Sequence, residues 1–293
     1  MDVEDWTTGS LFLLSKREAM IARGYLPVQD PQVDRGVRCL IDLLEETNFK
    51  ATFFVLGETA KSHKELIRLI HYRGHEVASH SMTHTLLPGL SVAQLAYELS
   101  ESKKLLEDLL GAPVLGFRAP NLCIYPDMLS FFHQLQAAGY SYDSSLTATA
   151  AKIKLKQPLA TFPIIGLEPN IVEIPVTMRR FIIREIPLGG TYLVLQGPLM
   201  VSTQIRKENS LKGKPAIIYV HPYEIDGFPL RWVHPSPSLK ARFSLMMRNT
   251  RKGHHIRLLT YLLKNHRFTS IREYLGVTTP RGFGANEKTG NGG

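Results

Sequence analysis

The chain has 293 residues, 44% hydrophobic and 21% charged, which is enough apolar material for a sizeable core and excludes a wholly disordered chain. Its formal net charge of +9 favours polyanionic partners. The basic residues are scattered, with short knots at Arg179-Arg180 and Arg251-Lys252 and no nucleic-acid motif, so no nucleic-acid partner is expected. No stretch reaches ~18 uninterrupted apolar residues, which excludes a helical membrane span, and the two cysteines, Cys39 and Cys123, have neither a CxxC nor a zinc-finger spacing.

Residues 1–6 carry three carboxylates, Asp2, Glu4 and Asp5, followed by Trp6, whose ring suggests packing rather than a free tail. Residues 7–33 read as a long loop with a helical turn near Leu11 to Arg23. From Asp34, the positions Val37, Leu40, Ile41, Leu43 and Leu44 form one apolar helical face, which places Cys39 in the core. Ala51 to Leu56 is an unbroken β-rich run ending at Gly57, the pattern of a buried parallel strand. A helix over 58–73 stops at Gly74, and Glu76 to Ser79 is a short strand ending at His80. Residues 91–110 are an amphipathic helix, Val114 to Phe117 a strand ending at Arg118, Asp127 to Ala138 a helix, and Tyr140 to Tyr142 a strand ending at Asp143. After a Pro- and Gly-containing stretch with β-rich pieces such as 171–174, Ala216 to Val220 is a buried strand ending at His221. Residues 255–275 return to helix and strand, and Thr278 to Gly293 form a polar, Gly-rich tail expected to be disordered. Strands alternating with helices imply a parallel sheet, and this many units predicts a distorted (β/α) barrel in one catalytic unit over 1–277.

His80, Arg118, Asp143 and His221 all fall at the carboxyl ends of predicted strands, the rim where barrel enzymes gather catalytic residues. His80 and His84 are four residues apart and can face one metal if the chain turns after the strand. A second pair with that spacing, His71 and His75, straddles Gly74 and reads as surface. Two imidazoles holding a metal need a carboxylate as third ligand, and the acidic residues at the start of the chain offer one. Ser81 follows the first histidine where a zinc protease of the HExxH type needs glutamate, which disfavours that class.

Five blocks then resemble, in order, the polysaccharide deacetylase family (NodB homology, carbohydrate esterase family 4). They are Asp2-Val-Glu-Asp-Trp6, Lys50-Ala-Thr-Phe-Phe-Val-Leu-Gly57, Gly74-His-Glu-Val-Ala-Ser-His-Ser-Met-Thr-His84, Phe117-Arg-Ala-Pro120 and Tyr219-Val-His-Pro-Tyr-Glu224. The opening block, the Tyr142-Asp-Ser-Ser145 run and the last block resemble most closely a subgroup tied to bacterial exopolysaccharide gene clusters. The resemblance covers roughly residues 1–275. It implies a barrel of the deacetylase type and metal-dependent release of acetate from an N-acetylhexosamine polysaccharide, with a divalent metal, expected to be Zn²⁺, held by His80, His84 and one carboxylate.

It further implies that Asp2 is the base, Arg118 its partner, His221 the acid for the leaving amine and Asp143 the residue orienting His221. The family's first motif has adjacent aspartates, whereas here Val3 separates Asp2 from Glu4. Glu4 shares a strand face with Asp2 and is the preferred third ligand, with Asp5 the alternative. Only Met1 precedes Asp2, although a strand needs about five residues. The native start is therefore expected upstream, with the first barrel strand truncated, neighbouring strand edges unpaired and Asp2 beside a mobile charged terminus. The opening residues lack a basic start and an apolar run, so a cytoplasmic location is expected. Competing readings are a hydrolase of small cyclic amides on the same barrel and a glycan-binding protein with a decayed site.

Overall fold

The computed structural model describes residues 1–6, 32–122, 127–155, 162–163, 171–212, 214–229, 246, 249 and 253–276. The expected helical turn near Leu11 to Arg23, Cys123 and the tail from Thr278 lie outside them.

Seven strands form one sheet: β1 (Asp2–Val3), β2 (Thr52–Val55), β3 (Glu76–Ser79), β4 (Gly116–Phe117), β5 (Tyr142–Asp143), β6 (Phe162–Pro163) and β7 (Val172–Glu173). Their order is β1-β2-β3-β4-β5-β7-β6, with β1 through β5 and β7 parallel and β6 antiparallel at the edge. Helices α1 (Gln32–Glu46), α2 (Gly57–Ser62), α3 (Lys64–Tyr72), α4 (Val92–Leu110) and α5 (Met128–Ala137) connect the parallel strands. Beyond them lie α6 (Ala148–Leu155), the hairpin β8 (Met178–Phe181) and β9 (Arg184–Pro187), α7 (Gly190–Gln196), α8 (Pro198–Lys212), α9 (Pro222–Ile225), α10 (His254–Asn265) and α11 (Ile271–Tyr274). One hydrophobic cluster runs from Val3 to Leu263 and includes Phe53, Val77, Phe117, Leu188 and Val220, so strand faces and helix stripes from both halves of the sequence share it.

Local chemistry explains the boundaries. Ser91 caps α4 in a reciprocal capping box with Gln94, and Gly111 ends it at φ 62°, a conformation in which a side chain would be strained. The helix expected over 58–73 is two helices, because His63 takes φ −128° and ψ 45°. The 255–275 stretch holds helices and no strand. His75 is fully buried against the Phe53 ring at 5.3 Å rather than on the surface, and burial lowers its pKa to about 4. Cys39 is half-buried and packs against the core.

Strand pairing among the described residues does not close the sheet into a barrel. The segment 216–220, expected as a full strand, makes only an isolated bridge from Tyr219 to Gly189. It still spans the gap: Asp2 N donates to Val220 O at 3.1 Å, Tyr219 N to Leu188 O at 3.2 Å and Thr177 N to Ile217 O at 3.2 Å. The short first strand is thus flanked on both sides, contrary to the expected open edges. The Met1 amine is also not a mobile charge: it donates to Thr52 O at 2.8 Å, and burial lowers its pKa to about 5. A cavity of about 100 Å³ lies beneath this junction, lined by Met1, Thr52, Ile217 and Tyr219.

Candidate active site

The carboxyl ends of the strands carry a buried polar cluster. Asp2 and Glu4 are both buried, as strand alternation places them on one face, whereas Asp5 is half-exposed. His80 follows β3 directly. Ser81 and His84 sit at φ 71° and 64°, a left-handed backbone that is uncommon for residues with side chains. That turn brings the His84 ring within 5.4 Å of His80.

Ligand atoms of Glu4, His80 and His84 converge within 4.8 Å of one another, the one such group among the described residues. Glu4 Oε2 lies 3.7 Å from His80 Nε2 and in contact with His84 Nε2, yet this buried oxygen has no hydrogen bond. His80 Nδ1 faces Arg118 O at 2.7 Å, which fixes the tautomer and turns Nε2 toward Glu4. Burial lowers the His80 pKa to about 4, so the ring is in the neutral form that a metal takes. For Glu4, burial raises the carboxyl pKa, but His84, His221 and His80 outweigh it and hold it below the usual range. A carboxylate and two imidazoles around an unbonded oxygen fit a divalent cation. Asp5 is not in the group.

Arg118 is almost fully buried and makes three hydrogen bonds: to Asp2 Oδ1 at 2.7 Å, Ser144 O at 3.1 Å and Ser144 Oγ at 2.9 Å. Its guanidinium lies 4.1 Å from the Phe54 ring centroid. Burial raises the Asp2 pKa, but the Arg118 charge, helped by His80, holds the carboxyl well below the usual range.

His221 precedes α9. Its Nδ1 donates to Glu224 Oε2 at 3.0 Å, and Nε2 stands 3.7 Å from Glu4 Oε1. Burial lowers the His221 pKa, but the charge and hydrogen bond of Glu224 outweigh it, and the net shift is upward. Glu224 also lies 3.4 Å from His255 Nε2, which faces Gly190 O at 3.2 Å. Asp143, expected to orient His221, does not do so. It accepts from Ser145 Oγ at 2.5 Å and pairs with Glu173; burial raises the pKa of both carboxyls.

Two site residues escaped sequence reasoning. Glu224 was quoted within a motif but given no role, although a glutamate three residues after a histidine on a helical turn can reach its ring. Glu98 of α4 is buried and holds the loop between the two histidines: Oε2 accepts from Ser81 Oγ, Met82 N at 2.8 Å and Thr83 N at 2.9 Å, and Oε1 from Thr83 Oγ1 at 2.6 Å. One turn on, Ser102 Oγ contacts Ser79 Oγ at 2.8 Å. The available signal was a glutamate on the stripe Leu95, Leu99 and Leu106, where apolar residues belong.

Residues 30–142 match the polysaccharide deacetylase family model, and residues 144–276 match a domain of unknown function, DUF3473. Over residues 30–142 the chain is thus similar to the polysaccharide deacetylases. The two matches meet at β5, inside the sheet, so His80, His84 and Arg118 come from the first and His221, Glu224 and His255 from the second. The chain is 36% identical over 81 residues to chitin deacetylase 1 of Cryptococcus neoformans (28% of this chain, 17% of that protein). It is 37% identical over 80 residues to a chitooligosaccharide deacetylase of Rhizobium leguminosarum (27% and 37%). It is 30% identical over 114 residues to a peptidoglycan-N-acetylglucosamine deacetylase of Bacillus cereus (39% and 48%). The matched stretches thus span less than half of each of these relatives. A crystal structure from Mycobacterium smegmatis assigned to the polysaccharide deacetylases covers 94% of this chain and 87% of its own, with a TM-score of 0.60 at 21% identity. That likeness establishes the fold.

Proposed function

We propose that the chain is a metal-dependent deacetylase that hydrolyses the acetamide of an N-acetylhexosamine polysaccharide, with residues 1–277 acting as one catalytic unit. A bacterial exopolysaccharide is the substrate class suggested by the Tyr142-Asp-Ser-Ser and His221-Pro-Tyr-Glu runs. The observation that carries the reading is the convergence of three clusters at one rim: the Glu4, His80 and His84 group, the Asp2–Arg118 ion pair and the His221–Glu224 pair.

Glu4, His80 and His84 would hold the ion. When bound, a divalent ion such as Zn²⁺ polarises the acetyl carbonyl and acidifies the attacking water. Asp2, kept ionised and oriented by Arg118, accepts the proton of that water. His221, its pKa raised by Glu224, donates to the sugar nitrogen as the C–N bond breaks, releasing acetate and the free amine.

The test has two stages. Elemental analysis of the purified chain and of His80→Ala should give about one divalent ion per chain and none in the variant. Acetate release from N-acetylglucosamine oligomers should then follow in the parent chain and be lost in His221→Ala, which keeps its metal. A chain that takes up no zinc sinks the reading; metal uptake with sugar binding but no acetate points instead to a glycan-binding protein.

A further inference from the structure

A second cavity, of about 610 Å³, opens between the β8–β9 hairpin, α6 and α8, and none of Asp2, Glu4, His80, His84 or His221 lines it. Its wall presents Lys152, Arg179, Arg180, Lys207 and Lys214 against two carboxylates, Glu185 and Glu208. Both carboxylates are already engaged. Glu208 is buried, accepts from Gln204 Nε2 at 2.7 Å and pairs with Lys214 Nζ at 3.3 Å. Glu185 accepts from Thr149 Oγ1. Lys152, Arg179, Arg180 and Lys207 form no ion pair among the described residues, and the Arg179 guanidinium donates to Met200 Sδ at 3.5 Å. Glu185 keeps its charge and stands opposite Arg180 across the hairpin, so these four cations face one unpaired carboxylate, and the net positive charge of the concave wall focuses a positive potential into the cavity, where an anion relieves the repulsion.

We infer that this cavity binds a negatively charged sugar unit, carboxylate- or phosphate-bearing, of the same glycan chain whose acetamide is hydrolysed at the rim. The inference rests on the deacetylase reading and adds an acidic character to its substrate. Three features favour a sugar. Among the described residues no aromatic ring lines the cavity to offer the base stacking that single-stranded nucleic acids use. Hydroxyl oxygens of Thr149, Thr177 and Thr203 stand among the cations and can accept from sugar hydroxyls. The wall is also tied to the catalytic segment: Thr177 N donates to Ile217 O at 3.2 Å and Ile217 N to Thr177 Oγ1 at 2.9 Å, four residues before His221. A glycan held at Arg180 and Lys207 is thereby registered against the segment that delivers the acid.

The experiment is isothermal titration calorimetry of the parent chain and of the double variant Arg180→Glu/Lys207→Glu, both positions being solvent-exposed. The probes are trigalacturonate, glucosamine 6-phosphate, neutral chitotriose and a thymidine decamer. The expected result is binding of at least one acidic sugar that weakens with added salt and falls on the order of tenfold or more in the variant, while chitotriose binds both proteins alike. Whichever acidic probe binds tighter assigns carboxylate or phosphate. The inference is overturned if neither acidic sugar binds, if the variant binds them equally, or if the decamer binds more tightly than either sugar and loses that binding in the variant. Metal content and acetate release on chitotriose are measured in parallel. Acidic-sugar binding without acetate release removes the deacetylase reading and leaves the cavity site standing; acetate release without acidic-sugar binding does the reverse.

Discussion

Replacing Arg118 by Met tests the buried ion pair on which the proposed base depends. At 2.7 Å and an effective dielectric constant of about 20, the Asp2–Arg118 attraction is about 6 kcal/mol, part of which offsets the desolvation of both groups. Methionine fills much of the stem volume over Phe54 but strands the Asp2 carboxylate and the Ser144 acceptors. Truncating one partner of such a pair costs about 3–5 kcal/mol, which for a chain of this size lowers Tm by roughly 10 °C. The sign with pH follows from the direction of the shift. In the parent chain Asp2 lies below its ordinary value, so the pair stabilises the fold above the unfolded pKa and is lost only in strong acid. In the variant the largest charge opposing burial is gone, and the Asp2 pKa is expected to rise above its unfolded value against the weaker pull of His80, the amino terminus and His221. The ionised form is then disfavoured, and the penalty grows by about 1.4 kcal/mol per pH unit between the unfolded and folded pKa values. Urea unfolding should therefore show a larger loss at pH 7 than at pH 5. The double variant Asp2→Asn/Arg118→Met should lose less than the two single losses added together. A loss below about 1 kcal/mol, one equal at both pH values, or simple additivity would refute the argument.

Glu98→Ala should release the Ser81–Thr83 loop and weaken zinc binding by about 10- to 100-fold in a chelator competition, with Glu98→Gln in between because it keeps an acceptor oxygen; unchanged affinity would show that the loop holds its shape alone. Glu224→Gln should lower the His221 pKa, read by NMR titration of the metal-free protein. Because that pKa is raised in the fold, the pair's stabilisation is present at low pH and lost as pH rises through it, and the variant should lack this extra low-pH stability. Gly36→Ala places a Cβ 2.2 Å from Pro222 O, where α1 meets the turn that follows His221. It should cost about 1–3 kcal/mol and cut turnover without changing metal content; a variant as stable and active as the parent would mean that α9 does not fix His221.

The parallel α/β order was readable because buried strands are short continuous apolar runs and helices repeat every 3.6 residues. His80, Arg118, Asp143 and His221 were placed at one edge because they follow such runs in a parallel sheet, and His84 was read from its four-residue spacing to His80. The preference for Glu4 over Asp5 came from strand alternation together with the resemblance to hydrolases in which the residue two along takes the metal. What failed was long-range. Asp143 had the right position along the chain to serve His221, but the sheet seats it beside Glu173, while Glu224 reaches the ring through a single turn of α9. His75 read as surface because a glycine follows α3, yet the turn drives its ring under Phe53. The segment 216–220 has a strand's composition, but its neighbours come from distant loops that supply only scattered hydrogen bonds.

The sequence by itself determined which chemistry-bearing side chains stand at the rim, since periodicity and strand ends are local properties of the chain. Only the tertiary structure decided which of them meet. The pairing of Glu98 with the histidine loop, of Glu224 with His221 and of the basic cavity with the segment to His221 depends on how helices and loops far apart in sequence pack, and packing is set by the whole core rather than by any one segment.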